Sequence, residues 1–207
     1  MSKDFDEEYW EERYRGHGAA HGRPNPQLLA EAADLAPGAA LDAGCGEGAD
    51  AAWLAARGWR VTAVDVSATA LARARERADA LGAEVAGRID WVRADLTAWT
   101  PPEGRFDLVS THYVHTVEPM ERLLGRLAAA VAPGGTLLVV GHDHAEAHSA
   151  GPHRPVTGAH VTTAELAAGL DPGRWDLAVA ETRSREAGHG GRTVTIHDAV
   201  LRARRRP

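Results

Sequence analysis

Leu41-Asp42-Ala43-Gly44-Cys45-Gly46-Glu47-Gly48, with Asp65 ending the next apolar run, decides the fold of this chain. Leu41-Asp42 closes a strand, the three alternating glycines make a turn, and a helix begins near Gly48. Glycine suits a turn that needs positive φ or a close approach of backbone to a ligand. A helix start at that turn aims free N–H groups at whatever sits there. Arg60-Val61-Thr62-Ala63-Val64-Asp65 reads as the following strand, and its terminal acid is placed to bind a pair of ribose hydroxyls. The stretch is a βαβ nucleotide-binding unit.

Spacing separates the nucleotides. The dinucleotide fingerprint is G-x-G-x-x-G, which seats a pyrophosphate on the helix N-terminus. Here the run is Asp-x-Gly-x-Gly-x-Gly, with the Asp42 carboxylate two residues ahead of Gly44. A carboxylate there repels a diphosphate and attracts a cation. S-adenosylmethionine carries an ammonium and a sulfonium and no phosphate, so it matches that charge. Asp42 to Gly48, with Asp65 ending the second strand, resembles motif I and the following acid of the class I S-adenosylmethionine-dependent methyltransferases. The resemblance implies a cofactor site at Asp42, Gly44, Cys45, Gly46, Gly48, Asp65, Val66, Ser67, Asp95, Leu96 and Thr111.

Composition frames this reading. The 207 residues suit one domain, and 44% apolar content is enough for a single core. A formal charge of −6 argues against a nonspecific nucleic-acid binder. The solitary Cys45 excludes an intrachain disulfide framework, fits a reducing cytoplasm, and reads as a small turn filler rather than a reactive thiol. No apolar run approaches a membrane span, and the N-terminus lacks the apolar core of a signal peptide. The expectation is a cytoplasmic monomer or homodimer with no nucleic-acid or membrane partner.

Asp6 to Tyr14 has helical spacing, with Tyr9, Trp10, Arg13 and Tyr14 on one face. It either covers a sheet edge or acts as a lid. Tyr-Trp-x-x-Arg-Tyr is similar to the N-terminal helix of small-molecule methyltransferases, which implies closure over the site with Arg13 and Tyr14 at the cofactor. Gln27 to Leu35 is a second helix, so residues 1–36 form a helical lid region, 37–141 the cofactor-binding core, and 142–207 a substrate-side loop, short helix and terminal hairpin.

Within the core, Ala49 to Arg57 is the crossover helix, and Ser67 caps a helix reaching Leu81. Ile89 to Arg93 is the third strand. Asp95 after it is either a turn residue or, by the resemblance, the acceptor of the adenine amino group. Phe106 to Ser110 is the fourth strand, and Thr111-His112-Tyr113-Val114-His115 falls where the family places residues between methyl donor and acceptor. Pro119 opens a helix. Pro133-Gly134-Gly135 turns the chain into Thr136 to Val140, a run typical of a strand buried on both faces. Trp175 to Thr182 and Arg192 to Leu201 alternate as a hairpin, and Arg202 to Arg206 reads as a solvated basic tail. The fold is a doubly wound, seven-stranded Rossmann-like α/β sheet with an antiparallel C-terminal hairpin.

Ligands of open α/β sheets bind outside the carboxyl ends of the strands. His112 and His115 follow strand four and His142, Asp143 and His144 follow strand five, so both groups fall on that rim. Three roles compete for them: pocket wall, general base or substrate donor, and metal ligation by His142, Asp143, His144 and His148. The base candidates are His112, His115 and His142, and no obligatory metal is expected. The seven histidines between residues 112 and 160 favour a small acceptor whose oxygen or nitrogen must lose a proton. Methylation of sulfur or a chalcogen oxyanion, of the thiopurine or tellurite type, is the runner-up. A noncatalytic binder of S-adenosylmethionine is the alternative of another class.

Overall fold

The computed structural model describes residues 5–16, 22–115, 117–143, 161–189 and 192–207. A seven-stranded sheet runs through the middle, in the order β3-β2-β1-β4-β5-β7-β6. Its strands are β1 (Ala39–Ala43), β2 (Arg60–Asp65), β3 (Ile89–Arg93), β4 (Phe106–His112), β5 (Val131–His142), β6 (Trp175–His189) and β7 (Arg192–Arg205). The first five are parallel; β7 runs antiparallel to β5, and β6 antiparallel to β7. The strand order reverses between β1 and β4, the crevice where open α/β sheets bind ligands.

Alternation along the central strands divides the core between the two faces. Leu137 and Val139 pack with Leu41, Val109 and Leu201 on one side, and Leu138 and Val140 with Ala40, Leu108 and Val200 on the other. Helix α6 (Met120–Ala130) covers the first face through Leu123, Leu124 and Leu127, joined by Leu166 of α7 (Thr163–Ala168). Helices α2 (Pro26–Ala32), α3 (Ala49–Ala56) and α4 (Ala68–Ala80) cover the second. A strand buried on both faces has to be apolar throughout, which is why Thr136 to Val140 shows no polar alternation.

Local chemistry fixes the ends. Ser67 Oγ accepts from Ala70 N at 3.1 Å to cap α4, and Thr162 with Glu165 forms a capping box on α7. Asn25 caps α2 with Pro26 at its first position. Gly58, at φ +96°, ends α3. Helices α1 (Glu7–Gly16) and α5 (Ala83–Ala86) complete the set.

Two expectations are corrected. Pro133-Gly134-Gly135 lies inside β5, and the irregularity shows as a register shift opposite Phe106 and Leu108. The arginines at 202–205 belong to β7. Arg202 reaches Glu31 and Asp34 at 3.5 Å each, and Arg206 reaches Asp176 at 2.7 Å. Ala203 is fully buried between the arginines, so the stretch alternates as a half-exposed strand does, although β7 is internal to the sheet, with long side chains leading their charge to carboxylates outside it. No helix among the described residues is long and apolar enough to cross a membrane.

Candidate functional site

The glycine turn hangs from the ends of β1 and β2. Gly44 N and Cys45 N both donate to Val64 O, at 2.8 and 2.9 Å, so two successive amides are tied to the neighbouring strand. That geometry needs left-handed backbone at Gly44, Gly46 and Gly48, with φ of +78°, +52° and +74°. A Cβ on Gly46 would stand 2.7 Å from the Tyr14 hydroxyl. Asp65, at the tip of β2, accepts from Gly46 N at 2.8 Å and from Ser67 N at 2.9 Å. Each carboxylate oxygen keeps a lone pair for a ligand hydroxyl. Burial raises its pKa, although these amide bonds oppose the rise.

Beneath the turn lies a compact charged group. Asp42 is 2% exposed, and its Oδ2 has no hydrogen-bond partner. His112 Nδ1 sits 2.8 Å from Asp50 Oδ2, while its Nε2 is buried with no partner. Donor atoms of Asp42, Asp50 and His112 all lie within 4.8 Å of one another. Burial, then the Asp50 charge, pushes the Asp42 carboxyl up to about 7. For His112, burial lowers the pKa, but the hydrogen bond and charge of Asp50 outweigh it and leave the ring more basic than usual. An orphaned buried carboxylate oxygen beside a glycine cradle fits the ammonium of an amino-acid-bearing cofactor.

A cavity of about 770 Å³ opens at the carboxyl ends of β1, β2, β4 and β5. Of the residues expected at the site, Arg13, Tyr14, Gly44, Asp65, Val66, Asp95, Leu96, His112, His115 and His142 line it. Asp42, Cys45, Gly46, Gly48, Ser67 and Thr111 stand behind that wall. Thr111 Oγ1 donates to Ala43 O at 3.0 Å, which pins β4 to β1. Cys45 is buried, and burial raises its thiol pKa well above the usual value, as suits a turn filler. Asp143 accepts from the Thr182 hydroxyl, whereas His144, His148, His153 and His160 lie outside the described residues.

Helix α1 closes one side. Glu11 accepts from Ser67 Oγ at 2.6 Å and from Thr69 Oγ1 at 2.5 Å, and those hydroxyl bonds hold its pKa down at about 2. Arg93 pairs with Glu7 on the same helix. Rings then run from the helix to the strand rim. Phe5 and Trp10 lie 6.1 Å apart at 27°, Trp10 and His115 6.2 Å at 12°, His115 and His142 6.2 Å at 24°, and His142 and Tyr113 4.5 Å at 21°.

Sequence reasoning assigns no role to Asp50, Gln27, Arg185 or Asp198, and places Tyr113 on the rim without its partner. Tyr113, among the described residues the one non-glycine at positive φ (+53°), donates from its hydroxyl to Asp198 Oδ1 at 2.9 Å. Arg185 Nε and Gln27 Nε2 donate to Asp198 Oδ2 at 2.8 and 3.0 Å. Tyr113 and Arg185 line the cavity. Asp50 carried the one available signal, an acid in the first turn of a helix, which ordinarily means only dipole stabilisation.

Residues 40–135 match a family described as a methyltransferase domain. Trans-aconitate 2-methyltransferase of Paracidovorax citrulli is 38% identical over 130 residues, 61% of this chain and 47% of that protein. An uncharacterized methyltransferase of Mycobacterium tuberculosis is 44% identical over 102 residues, 48% of each chain. The chain thus spans about half the length of these curated relatives. A solved structure reported for conversion of a disulfide bond into a thioacetal group during echinomycin biosynthesis is 27% identical, with a TM-score of 0.73 over 96% of this chain and 91% of its own.

Proposed function

Because residues 40–135 place this chain among the class I S-adenosylmethionine-dependent methyltransferases, we propose that it transfers a methyl group from S-adenosylmethionine to the oxygen or nitrogen of a small acceptor. One observation carries the reading. Asp65, the acid suited to ribose, and His112, His115 and His142, the groups suited to deprotonating an acceptor, line a single cavity. Asp65 holds the ribose hydroxyls, Asp95 and Leu96 the adenine, and the Asp42 charge, behind the glycine turn, attracts the ammonium without touching it. Arg13 and Tyr14 face the cofactor's carboxylate from the lid.

The cofactor supplies an electrophilic methyl group, so the protein's task is to align the nucleophile and take its proton. Asp50 orients His112 through Nδ1 and leaves Nε2 as the proton acceptor, the carboxylate–imidazole arrangement of a general base. His115 and His142 form the adjoining wall and bind the acceptor or assume that role.

A sulfur acceptor is the second reading, favoured by the 27%-identical structure whose reported reaction begins at a disulfide. Turnover of S-adenosylmethionine against phenols, amines, carboxylic acids, thiols and chalcogen oxyanions tests both. With an oxygen or nitrogen acceptor, His112→Ala lowers kcat at least about 100-fold and leaves S-adenosylhomocysteine affinity within threefold. Thiol turnover indifferent to alanine at each of His112, His115 and His142 establishes the second reading instead. Cofactor binding with no turnover on any acceptor overturns both and leaves a noncatalytic binder.

A further inference from the structure

We propose that the acceptor is a planar aromatic molecule seated flat against the rings that run from lid to strand rim. This rests on the methyl-transfer reading above. Phe5, Trp10, His115, His142 and Tyr113 all line the cavity, and successive planes depart from parallel by only 27°, 12°, 24° and 21°. Rings packing freely choose edge-to-face geometry as readily as stacking. Tyr9 makes the contrast on the same helix: it does not line the cavity, and it meets Phe5 at 85° and Trp10 at 82°. The ring pairs of the cavity wall are thus tilted by 39° or less, Phe5–His115 at 39° and Trp10–Tyr14 at 36° being the widest, and the edge-to-face pairs involve Tyr9 outside it. A flat guest gains an offset stack on each face it covers, whereas a saturated ring or branched acid does not.

Charge at the two ends points the same way. The Arg13 guanidinium lies 5.9 Å from the Trp10 ring, and that of Arg185 5.7 Å from the Tyr113 ring. Arg185 is already paired with Asp198 and Arg13 faces the cofactor in the reading above, so each leaves only a residual positive field beside the rings, which favours an electron-rich guest such as a phenol close to ionisation. Imidazoles sit within the stack, so a hydroxyl or ring N–H on the edge of the guest meets a proton acceptor.

Calorimetry on the full chain saturated with S-adenosylhomocysteine tests the assignment, using 2-naphthol and 8-hydroxyquinoline against their fully saturated counterparts. The flat compounds bind at least about tenfold more tightly. Trp10→Leu removes most of that preference, Trp10→Phe keeps it within threefold, and circular dichroism checks that both variants fold. Equal binding of the two series, or binding of neither, overturns the aromatic assignment and leaves methyl transfer standing. Failure of the wild-type chain to bind S-adenosylhomocysteine overturns the methyl-transfer reading itself, and this inference with it.

Discussion

At the scale of single residues, the proposed cofactor site puts two buried acids to different uses. Asp65→Ala removes the acceptor of a hydroxyl pair, a charged hydrogen bond worth about 1.5–3 kcal/mol, so S-adenosylhomocysteine affinity measured by calorimetry falls roughly 10- to 150-fold. Asp42 governs pH dependence. Its carboxyl titrates at about 7, well above an unfolded Asp, so without ligand it adds stability at acid pH that is lost as pH rises from about 4 through 7. A cofactor ammonium reverses this by drawing the proton off. Binding then releases a proton near neutrality, and affinity climbs with pH up to about 7. Titrations in buffers of different ionisation enthalpy read the proton directly, and Asp42→Asn abolishes both effects. The positions of Asp42 and Asp65 were legible from their fixed distance to the glycines, Asp65 as the last residue of β2 and Asp42 one before the end of β1. The partners of Asp50 and Tyr113 were not, since they lie 62 and 85 residues away and only the folded sheet brings them together.

At the scale of elements, the glycine turn and helix α1 are separable. Gly48 adopts φ +74°, and a Cβ there would meet Trp91 at 2.6 Å and Ala74 at 2.8 Å. Gly48→Ala therefore combines left-handed strain with overpacking, and costs roughly 2–5 kcal/mol in denaturant unfolding. Helix α1 answers to Glu11. Its carboxyl is held at about 2 when docked on Ser67 and Thr69, against an ordinary 4.5, so docking is at full strength above pH 4.5 and weakens as pH falls towards 2. Glu11→Ala at pH 7 imitates that loss: S-adenosylhomocysteine dissociates about three- to tenfold faster by stopped flow, while the core melts unchanged. The cap at Ser67 was readable because a cap bonds within three residues of itself. Arg202 to Arg206 was misread as a tail, since five residues with four arginines carry little apolar signal until β5 and Glu31 supply their neighbours.

At the scale of the molecule, one carboxylate joins parts remote in sequence. Asp198 of β7 is fully buried and accepts from Gln27 of α2, Tyr113 after β4 and Arg185 of β6. The C-terminal hairpin is thereby fastened to both the helical layer and the cavity wall. Asp198→Ala strands the Arg185 guanidinium and leaves two donors without an acceptor, a loss of about 3–5 kcal/mol. For a chain of this size that lowers Tm by roughly 6–20 °C in scanning calorimetry. Much of the loss comes from charge left unpaired rather than from attraction forgone. Arg185→Met added to Asp198→Ala therefore restores part of the stability, although the double variant has lost two polar groups where the single variant lost one. A double variant less stable than Asp198→Ala alone would show instead that Arg185 stabilises the hairpin independently, through the Tyr113 ring beneath it.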